Sequence, residues 1–219
     1  MKGVILDFDT IGPDDLDTSI LLSLPISWQI YGNTSFNEVN ERIRYADVVL
    51  TNKVELSNEN IKQAANLKLI GLFATGTNII DLEAASDKNI CVSNAVAYCT
   101  DSVVQHVWAL ILALTTRIFD YSQAATDGRW ERSNSFCVMD YSVKELAGKT
   151  LGVVGAGELG RAVASVGLAF GMNVKYALFP ERHSFTHDNR LEFKVLLQQS
   201  DIVTLHCPCL LYTSPSPRD

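Results

Sequence analysis

Cationic residues are scarce in this sequence. It holds 18 lysine and arginine residues against 25 aspartate and glutamate residues, a formal net charge of -7 over 219 residues. A surface of that sign repels nucleic acid and anionic membranes, and no Lys/Arg block offsets it. The charge balance excludes these two partners and favours a small neutral or cofactor-bound substrate.

Long apolar runs are also missing. Met1 and Lys2 lead into a short apolar stretch that ends at Asp7, so no secretory signal is expected. The most apolar helical pattern, residues 107–114, is too short to span a bilayer. We therefore expect a cytoplasmic protein without a membrane segment.

The cysteines do not form a pattern. There are five, an odd number, scattered as Cys91, Cys99, Cys137, Cys207 and Cys209, which excludes a disulfide framework and favours reduced thiols. The Cys-Pro-Cys run has no second ligand pair at zinc-like spacing, so no metal site is predicted.

The sequence does contain an alternation of strand and helix patterns. Short β-branched runs at 4–6, 28–31, 48–50, 67–73 and 90–92 predict strands, and patterns at 36–44 and 58–66 predict helices between them. Such alternation is typical of a parallel sheet covered on both faces. Residues 1–97 are therefore interpreted as one doubly wound domain.

A long helix follows, with Thr100 or Asp101 as its N-cap. It is apolar almost all round from Val103 to Leu114, which predicts burial between layers or between the subunits of a homodimer. Residues 126–142 show no clear period and predict an ordered loop.

A second strand-helix series begins at Thr150. Strands are predicted at 151–154, 174–178 and 202–205, and helices at 158–170, with Gly171 as its C-cap, and at 190–199. Residues 98–210 thus read as a partial nucleotide-binding domain. Residues 211–219 are turn-forming and break the pattern, so we expect a truncated chain with a foreign or frame-shifted tail.

The turn after the first of these strands carries Gly155-Ala156-Gly157-Glu158-Leu159-Gly160, a G-x-G-x-x-G sequence. The flanking strand and amphipathic helix are the context that a dinucleotide site requires. Gly155 permits the tight turn, Gly157 lets the backbone approach a pyrophosphate, and Gly160 lets the helix pack on the strand. The helix N-terminus then attracts the phosphates. A glycine-rich turn without a ligand is the alternative.

The acid expected about 20 residues later, for the adenosine ribose, is absent at its usual position. The strand end reads ALFPERH over residues 177–183. Either Glu181 reaches the ribose from slightly further along, or Arg182 and His183 bind a 2′-phosphate. The cofactor prediction therefore stays open between NAD and NADP.

Three segments resemble the D-isomer-specific 2-hydroxyacid dehydrogenases. They are LIGLFATGTNIID at 69–81, NAVAYCTDSVVQH at 94–106, and the stretch from LAGKTLGVVG at 146–155 through AFGM at 169–172 to DIVTLHCP at 201–208. Residues 98–102, with DGRW at 127–130, look closest to the glycerate dehydrogenase (hydroxypyruvate reductase) branch.

The resemblance implies an α/β fold, with a flavodoxin-like substrate domain and an incomplete Rossmann NAD(P)-binding domain flanking a cofactor cleft. By analogy, the N–H groups of Gly76 and Thr77 hold the substrate carboxylate, and Thr75 lies near the nicotinamide. Asn52 and Lys53 match a substrate-facing loop, where Lys53 is either a cationic contact or a solvated lysine.

The same analogy assigns the remaining cofactor contacts. Glu158 and Leu159 would touch the pyrophosphate through their backbone, and Cys207 and Pro208 would lie beside the cofactor at the end of a strand.

The implied reaction is hydride transfer between nicotinamide and a small D-2-hydroxy or 2-oxo acid, such as hydroxypyruvate, glycerate or glyoxylate. The family uses an arginine, a glutamate and a histidine that lie beyond the end of this sequence, so no catalytic residue is predicted here and the fragment is not expected to be competent. Arg218 lies in the aberrant tail, and His206 matches a structural position after the strand. His106, in the long helix, is interpreted as a packed or interface histidine.

Two other functional classes remain as alternatives. Some corepressors of this fold sense NAD(H) and control assembly, but no segment here resembles their interaction regions, and the charge opposes DNA contact. A methyltransferase could use the same glycine-rich turn, although the substrate-loop resemblance opposes it.

Overall fold

The chain divides into two compact units, Met1–Tyr98 and Cys99–Asp219. The structure is a computed structural model, and it describes residues 1–178 and 190–207. Both units are built from parallel strands connected by helices, which confirms the predicted α/β class.

The first unit contains a five-stranded parallel sheet. Its strands are β1 (Lys2–Ile5), β2 (Ser27–Ile30), β3 (Val48–Thr51), β4 (Leu69–Leu72) and β5 (Cys91–Asn94). Its helices are α1 (Ser19–Leu22), α2 (Val39–Ile43), α3 (Asn58–Gln63) and α4 (Leu82–Asp87). The strand order β2-β1-β3-β4-β5 is that of flavodoxin, and all five strands lie within two residues of their predicted positions.

Apolar runs in the strands explain this sheet. Val49 and Ile70 are fully buried, and they share one core cluster with Val39, Ile43 and Ile61 of the helices. Strands covered by crossover helices need apolar residues at successive positions rather than in alternation. The runs read from the sequence are therefore the buried strands of the unit.

A lysine completes the end of α3. Lys88 Nζ donates to the carbonyls of Ile61 (3.1 Å), Lys62 (3.1 Å) and Ala64 (2.7 Å). The last carbonyls of a helix have no partners within the helix and carry its negative dipole end, so an ammonium group satisfies both needs. The contact joins α3 to the C-terminus of α4.

The second unit contains a four-stranded parallel sheet in its described residues. The strands are β6 (Thr150–Val154), β7 (Asn173–Leu178), β8 (Arg190–Glu192) and β9 (Ile202–Leu205). The helices are α5 (Thr100–Thr116), α6 (Ile118–Thr126), α7 (Glu158–Ala169) and α8 (Phe193–Gln199). The order β8-β7-β6-β9 corresponds to positions 3-2-1-4 of a Rossmann sheet.

Helix α5 packs against α7 through Trp108. The Trp108 Nε1–H donates to the carbonyl of Val163 at 3.2 Å, and its ring stacks on Phe170 with centroids 5.0 Å apart. The C-cap of α7 is Phe170, one residue before the predicted Gly171, which follows it in the left-handed conformation at φ +72°. The N–H of Met172 bonds back to Gly167 at 3.0 Å. The indole therefore anchors α5 to α7.

The long helix differs from its prediction at both ends. Its N-cap is Cys99, which makes no side-chain capping bond, and neither Thr100 nor Asp101 takes that role because both lie inside the helix. At its other end Arg117, at φ +56°, turns the chain into α6, a helix that the sequence pattern had not indicated. A left-handed arginine has no distinctive sequence signature, because this conformation is normally associated with glycine or asparagine.

One face of α5 is buried and the opposite face is exposed. Trp108 and Ile111 are buried, whereas Leu110 is 53% exposed and Leu114 is 76% exposed. The chain therefore buries one face of the helix, and contact of the other face with a second subunit stays a prediction.

The predicted helix over 190–199 is wrong at its start. Arg190–Glu192 forms strand β8, and only Phe193–Gln199 is helical. Residues 190 to 192 pair with Tyr176 to Leu178 of β7. Pairing with a neighbouring strand is a tertiary contact that local helical periodicity does not reveal.

Within the described residues, no single helix is long and apolar enough to cross a membrane. Helices α5 and α6 reach that length and apolar composition only together, and the pair is bent by 61° at its junction.

We predict that Lys88→Met lowers the free energy of unfolding by about 1–2 kcal/mol, because three carbonyls lose a charged donor. Lys62→Met is the matched control, since Lys62 lies in the last turn of the same helix and its side chain makes no hydrogen bond in the described structure. Urea denaturation measures both, and an equal loss in the two variants would contradict the capping role.

Candidate functional site

The turn between β6 and α7 has a backbone that only glycine can supply at two positions. Gly155 adopts φ +103°, and a Cβ there would lie 2.5 Å from the carbonyl oxygen of His206. At Gly160 a Cβ would lie 1.9 Å from the carbonyl oxygen of Gly155. The tight turn and the close approach of helix to strand predicted from the sequence are therefore both present.

Gly157 is different, because a Cβ there would meet nothing within 4 Å. Gly157 is the N-cap of α7, with an extended backbone at φ -74° and ψ -165°. The absence of a side chain leaves open space beside the start of the helix. That is the feature a phosphate group needs in order to approach the backbone.

The start of α7 also offers unused donors. The first helical hydrogen bond runs from the N–H of Arg161 to the carbonyl of Gly157 at 3.0 Å. The preceding N–H groups, those of Glu158 and Leu159, donate to no acceptor in the described part of the chain. Free N–H groups at the positive end of a twelve-residue helix suit an anionic ligand.

Glu158 is held by a partner outside the turn. Its Oε1 accepts a hydrogen bond of 2.5 Å from the Thr100 hydroxyl, at the first residue of α5. The bond draws the Glu158 carboxylate toward α5. Thr100, which the sequence suggested as a cap, therefore connects the N-termini of α5 and α7.

The end of β9 forms the opposite wall of the turn. The N–H of His206 donates to Val154 at 2.7 Å, and the His206 ring is 2.9 Å from the Thr204 hydroxyl. Burial lowers the pKa of His206 below its ordinary value of 6.5, so its neutral form predominates near neutral pH. A Cβ on Gly155 would also lie 2.8 Å from the N atom of Cys207, so the exposed Cys207 borders the turn, and its contact with a cofactor stays a prediction.

The structure does not describe two further predicted cofactor contacts. Arg182 and Pro208, together with Glu181 and His183, fall outside the described residues. Among the residues that the structure does describe, no group of three His, Cys, Asp or Glu side chains is placed to hold a metal ion.

In the first unit, the loop after β4 carries Thr75, Gly76 and Thr77. The Asn94 Nδ2 donates to the Thr75 carbonyl at 2.7 Å, and the N–H of Ile80 donates to the Thr77 carbonyl at 3.0 Å. The N–H groups of Gly76 and Thr77 themselves have no acceptor in the described ranges. The loop is thus held through its carbonyls, and its donors are available to an anion.

The loop after β3 carries Asn52 and Lys53, and it depends on a residue that the sequence analysis missed. Asp7 is 2% exposed, and its carboxylate accepts hydrogen bonds from the N–H groups of Asn52 (2.9 Å) and Lys53 (2.6 Å). The available signal was an acid directly after an apolar run, at the end of the first strand. Parallel strands place such ends at the sheet edge where ligands bind.

Comparison with known families agrees with this geometry. Residues 108–214 match the model of the D-isomer specific 2-hydroxyacid dehydrogenase NAD binding domain. The chain is also 35% identical over 213 residues to a hydroxypyruvate reductase of Blautia hydrogenotrophica, covering 95% of this chain and 66% of that protein. The chain belongs to the D-isomer-specific 2-hydroxyacid dehydrogenase family.

Other members of the dehydrogenase family are similar. A glycerate dehydrogenase of Methylorubrum extorquens is 35% identical over 198 residues, covering 89% of this chain and 61% of the relative. The chain spans 61–66% of the length of these two curated relatives.

Solved structures share this fold. The D-lactate dehydrogenase of Aquifex aeolicus, complexed with NAD and lactic acid, aligns with a TM-score of 0.73 and 28% identity, covering 97% of this chain and 62% of that one. The TT0316 protein of Thermus thermophilus aligns with a TM-score of 0.78 and 26% identity, covering 97% and 67%.

We predict that Gly160→Ala destabilises the second unit by at least about 2 kcal/mol, because its Cβ would overlap the Gly155 carbonyl and the backbone would have to move. Gly157→Ala, whose Cβ meets open space, should stay within about 1 kcal/mol of the parent, the cost of an alanine N-cap. Thermal denaturation followed by circular dichroism compares them, and equal stability of the two variants would contradict the close approach.

We also predict a pH effect from His206. Because its native pKa is lowered, the unfolded chain takes up a proton at higher pH than the native chain does. The stabilisation by neutral His206 is therefore complete above pH 6.5 and is lost as the pH falls below that value. His206→Gln keeps a polar partner for Thr204 but does not titrate.

Melting temperatures measured from about pH 7.5 to about pH 5.5 should fall further in the parent chain than in His206→Gln. Parallel curves for the two proteins would show that this histidine does not contribute.

Proposed function

We propose that this chain is part of an NAD(P)-dependent oxidoreductase that transfers a hydride between nicotinamide and a small D-2-hydroxy acid or 2-oxo acid. The observation that supports this proposal most strongly is the turn at 155–160. Backbone atoms crowd Gly155 and Gly160, whereas Gly157 between them faces open space at the start of α7, where N–H groups have no acceptor in the described residues. Family membership supports the same reading of this turn.

The proposed cofactor site is formed by the second unit. Gly155, Gly157 and Gly160 shape the space for the pyrophosphate, and the N–H groups of Glu158 and Leu159 donate to it. Cys207 borders the same turn. Arg182 and Pro208 are retained as proposed contacts, and the cofactor is proposed as NAD or NADP.

The proposed substrate site is formed by the first unit. The N–H groups of Gly76 and Thr77, which have no acceptor in the described residues, are proposed to bind the substrate carboxylate. Thr75 of the same loop is retained as a proposed neighbour of the nicotinamide. Asn52 and Lys53 are the proposed substrate-site residues of the loop after β3, with Lys53 as the cationic contact and Asn52 holding the loop through its bonds to Thr10. When bound, the nicotinamide supplies or accepts the hydride, while these residues bind the acid and orient it.

Hydroxypyruvate or glycerate, and glyoxylate, are the proposed substrates. The similarity to a hydroxypyruvate reductase and to a glycerate dehydrogenase supports the first pair, and a glyoxylate reductase of Thermococcus litoralis that is 32% identical over 176 residues supports the other. His206 is not proposed as the proton donor, because its ring is bound to Thr204 and its pKa is lowered.

The test is cofactor binding to the chain. NADH or NADPH should raise its melting temperature, because a ligand that binds only the native state stabilises it, whereas S-adenosylmethionine should not. Gly157→Val should weaken dinucleotide binding by about tenfold or more, since its side chain fills the space that the phosphate needs.

Ser165→Val, at an exposed position of the same helix away from the turn, is the control and should bind like the parent. Stabilisation by S-adenosylmethionine alone, or no response to either dinucleotide, would overturn the proposed function.

A further inference from the structure

Asp7 is a buried carboxylate in a position where burial is costly. It follows β1, and its Oδ1 accepts from the N–H of Asn52 at 2.9 Å, while its Oδ2 accepts from the N–H groups of Lys53 at 2.6 Å and Val54 at 3.3 Å. An ionised carboxylate loses its water on burial unless such donors replace it. Three successive N–H groups converge here on one side chain.

Other bonds make the same loop rigid. The Thr51 hydroxyl donates to the carbonyl of Val54 at 3.2 Å and accepts from its N–H at 3.1 Å. The Asn52 Nδ2 donates to the carbonyl and the hydroxyl oxygen of Thr10, at 3.2 and 3.0 Å. The Thr10 hydroxyl in turn donates to the carbonyl of Asp7 at 2.7 Å. The loops after β1 and β3 therefore form one hydrogen-bonded unit.

This bonding leaves one kind of donor for a ligand. The loop's backbone N–H groups are occupied by Asp7, and the Asn52 amide hydrogens are occupied by Thr10. The Lys53 ammonium is exposed and lies in no ion pair within the described residues. Of the two residues proposed for this loop, Lys53 is the one whose side chain can still bind an anion.

Lys53 is the one cationic residue among the described residues that line the cavity next to this loop. It borders a cavity of about 330 Å³ that is also lined by Asp7, Asn33 and Thr34, and by Glu55 as a second acidic group. Strand β1 lies between β2 and β3, so the cavity is at the point where the strand order reverses. Ligands of open parallel sheets bind outside the carboxyl ends of the strands at this point.

We propose that Asp7 is a positioning residue, which holds the loop after β3 so that the Lys53 ammonium binds the carboxylate of a small 2-oxo acid. The inference rests on the proposed function. In it, Asp7 and Lys53 serve the same contact, that of the Lys53 ammonium with the substrate carboxylate. Asn52 then acts as a connection to Thr10 rather than as a donor to the acid.

A double-mutant cycle tests this proposal, with hydroxypyruvate as the probe and amide NMR of the 219-residue chain as the measurement. Hydroxypyruvate should shift the amides of Gly76, Thr77 and Lys53 in the parent chain. Lys53→Met and Asp7→Ala should each weaken its binding by about five- to tenfold, as expected for loss of one charged contact. The double variant should bind no more weakly than either single variant, because both changes remove the same contact.

Hydrogen exchange provides the second measurement. Asp7→Ala should speed exchange of the Asn52, Lys53 and Val54 amides by about tenfold or more. Asp7→Asn, which keeps one acceptor oxygen, should be intermediate in both measurements. Exchange of these amides measures how firmly the loop is held, even in a variant that binds hydroxypyruvate weakly.

Two controls separate positioning from a general loss of stability. Ile43→Ala removes a buried side chain from the same core and should lower stability without changing hydroxypyruvate binding. Asp14→Asn changes an exposed acid whose side chain makes no hydrogen bond in the described structure, and it should change neither property.

The outcomes separate the two proposals. Additive losses in the double variant, binding by Lys53→Met that equals the parent's, or a loss in Ile43→Ala as large as in Asp7→Ala would overturn the role of Asp7 and leave the proposed function standing. No response at Gly76 and Thr77 in the parent chain would instead overturn the proposed substrate site, and the Asp7 proposal with it.

Discussion

The approach of α7 to the turn after β6 is the constraint on which the second unit depends. A Cβ at Gly160 would overlap the Gly155 carbonyl, and a Cβ at Gly155 would overlap the carbonyl of His206. Both contacts are backbone against backbone, so no change of rotamer relieves them. This crowding joins β6, α7 and β9. Next to it lie the open space at Gly157 and helix N–H groups that have no acceptor in the described residues.

In the first unit, a buried carboxylate rather than close backbone packing holds the loop after β3 in place. There a buried aspartate collects the N–H groups of a loop that would otherwise be left without partners. Both arrangements lie at the carboxyl ends of parallel strands, where strands stop and backbone groups lose their ladder partners. At the turn after β6, the N–H groups are open to a ligand. At the loop after β3, they bind Asp7, and the side chain that can still bind a ligand is that of Lys53.

Much of this fold was predictable, because its signals are local. The apolar runs of β1 to β5, the strand-turn-helix context of Gly155, and the stop at Gly171 all follow from neighbouring residues. The features that were missed depend on partners distant in sequence. Strand β8 exists because residues 190 to 192 pair with β7, and the Asp7 carboxylate meets amides 45 to 47 positions away.

The candidate site divides in the same way. The glycine positions in the turn were readable from the sequence, because a backbone conformation restricts the residues that fit. The residues of the loops after β3 and β4 were instead implied by the family resemblance. Whether Thr100 caps its own helix or bonds to Glu158, and whether Asn52 faces a ligand or Thr10, was decided only by the tertiary structure. A polar side chain bonds to whichever partner folding brings within about 3 Å, and sequence proximity does not determine that partner.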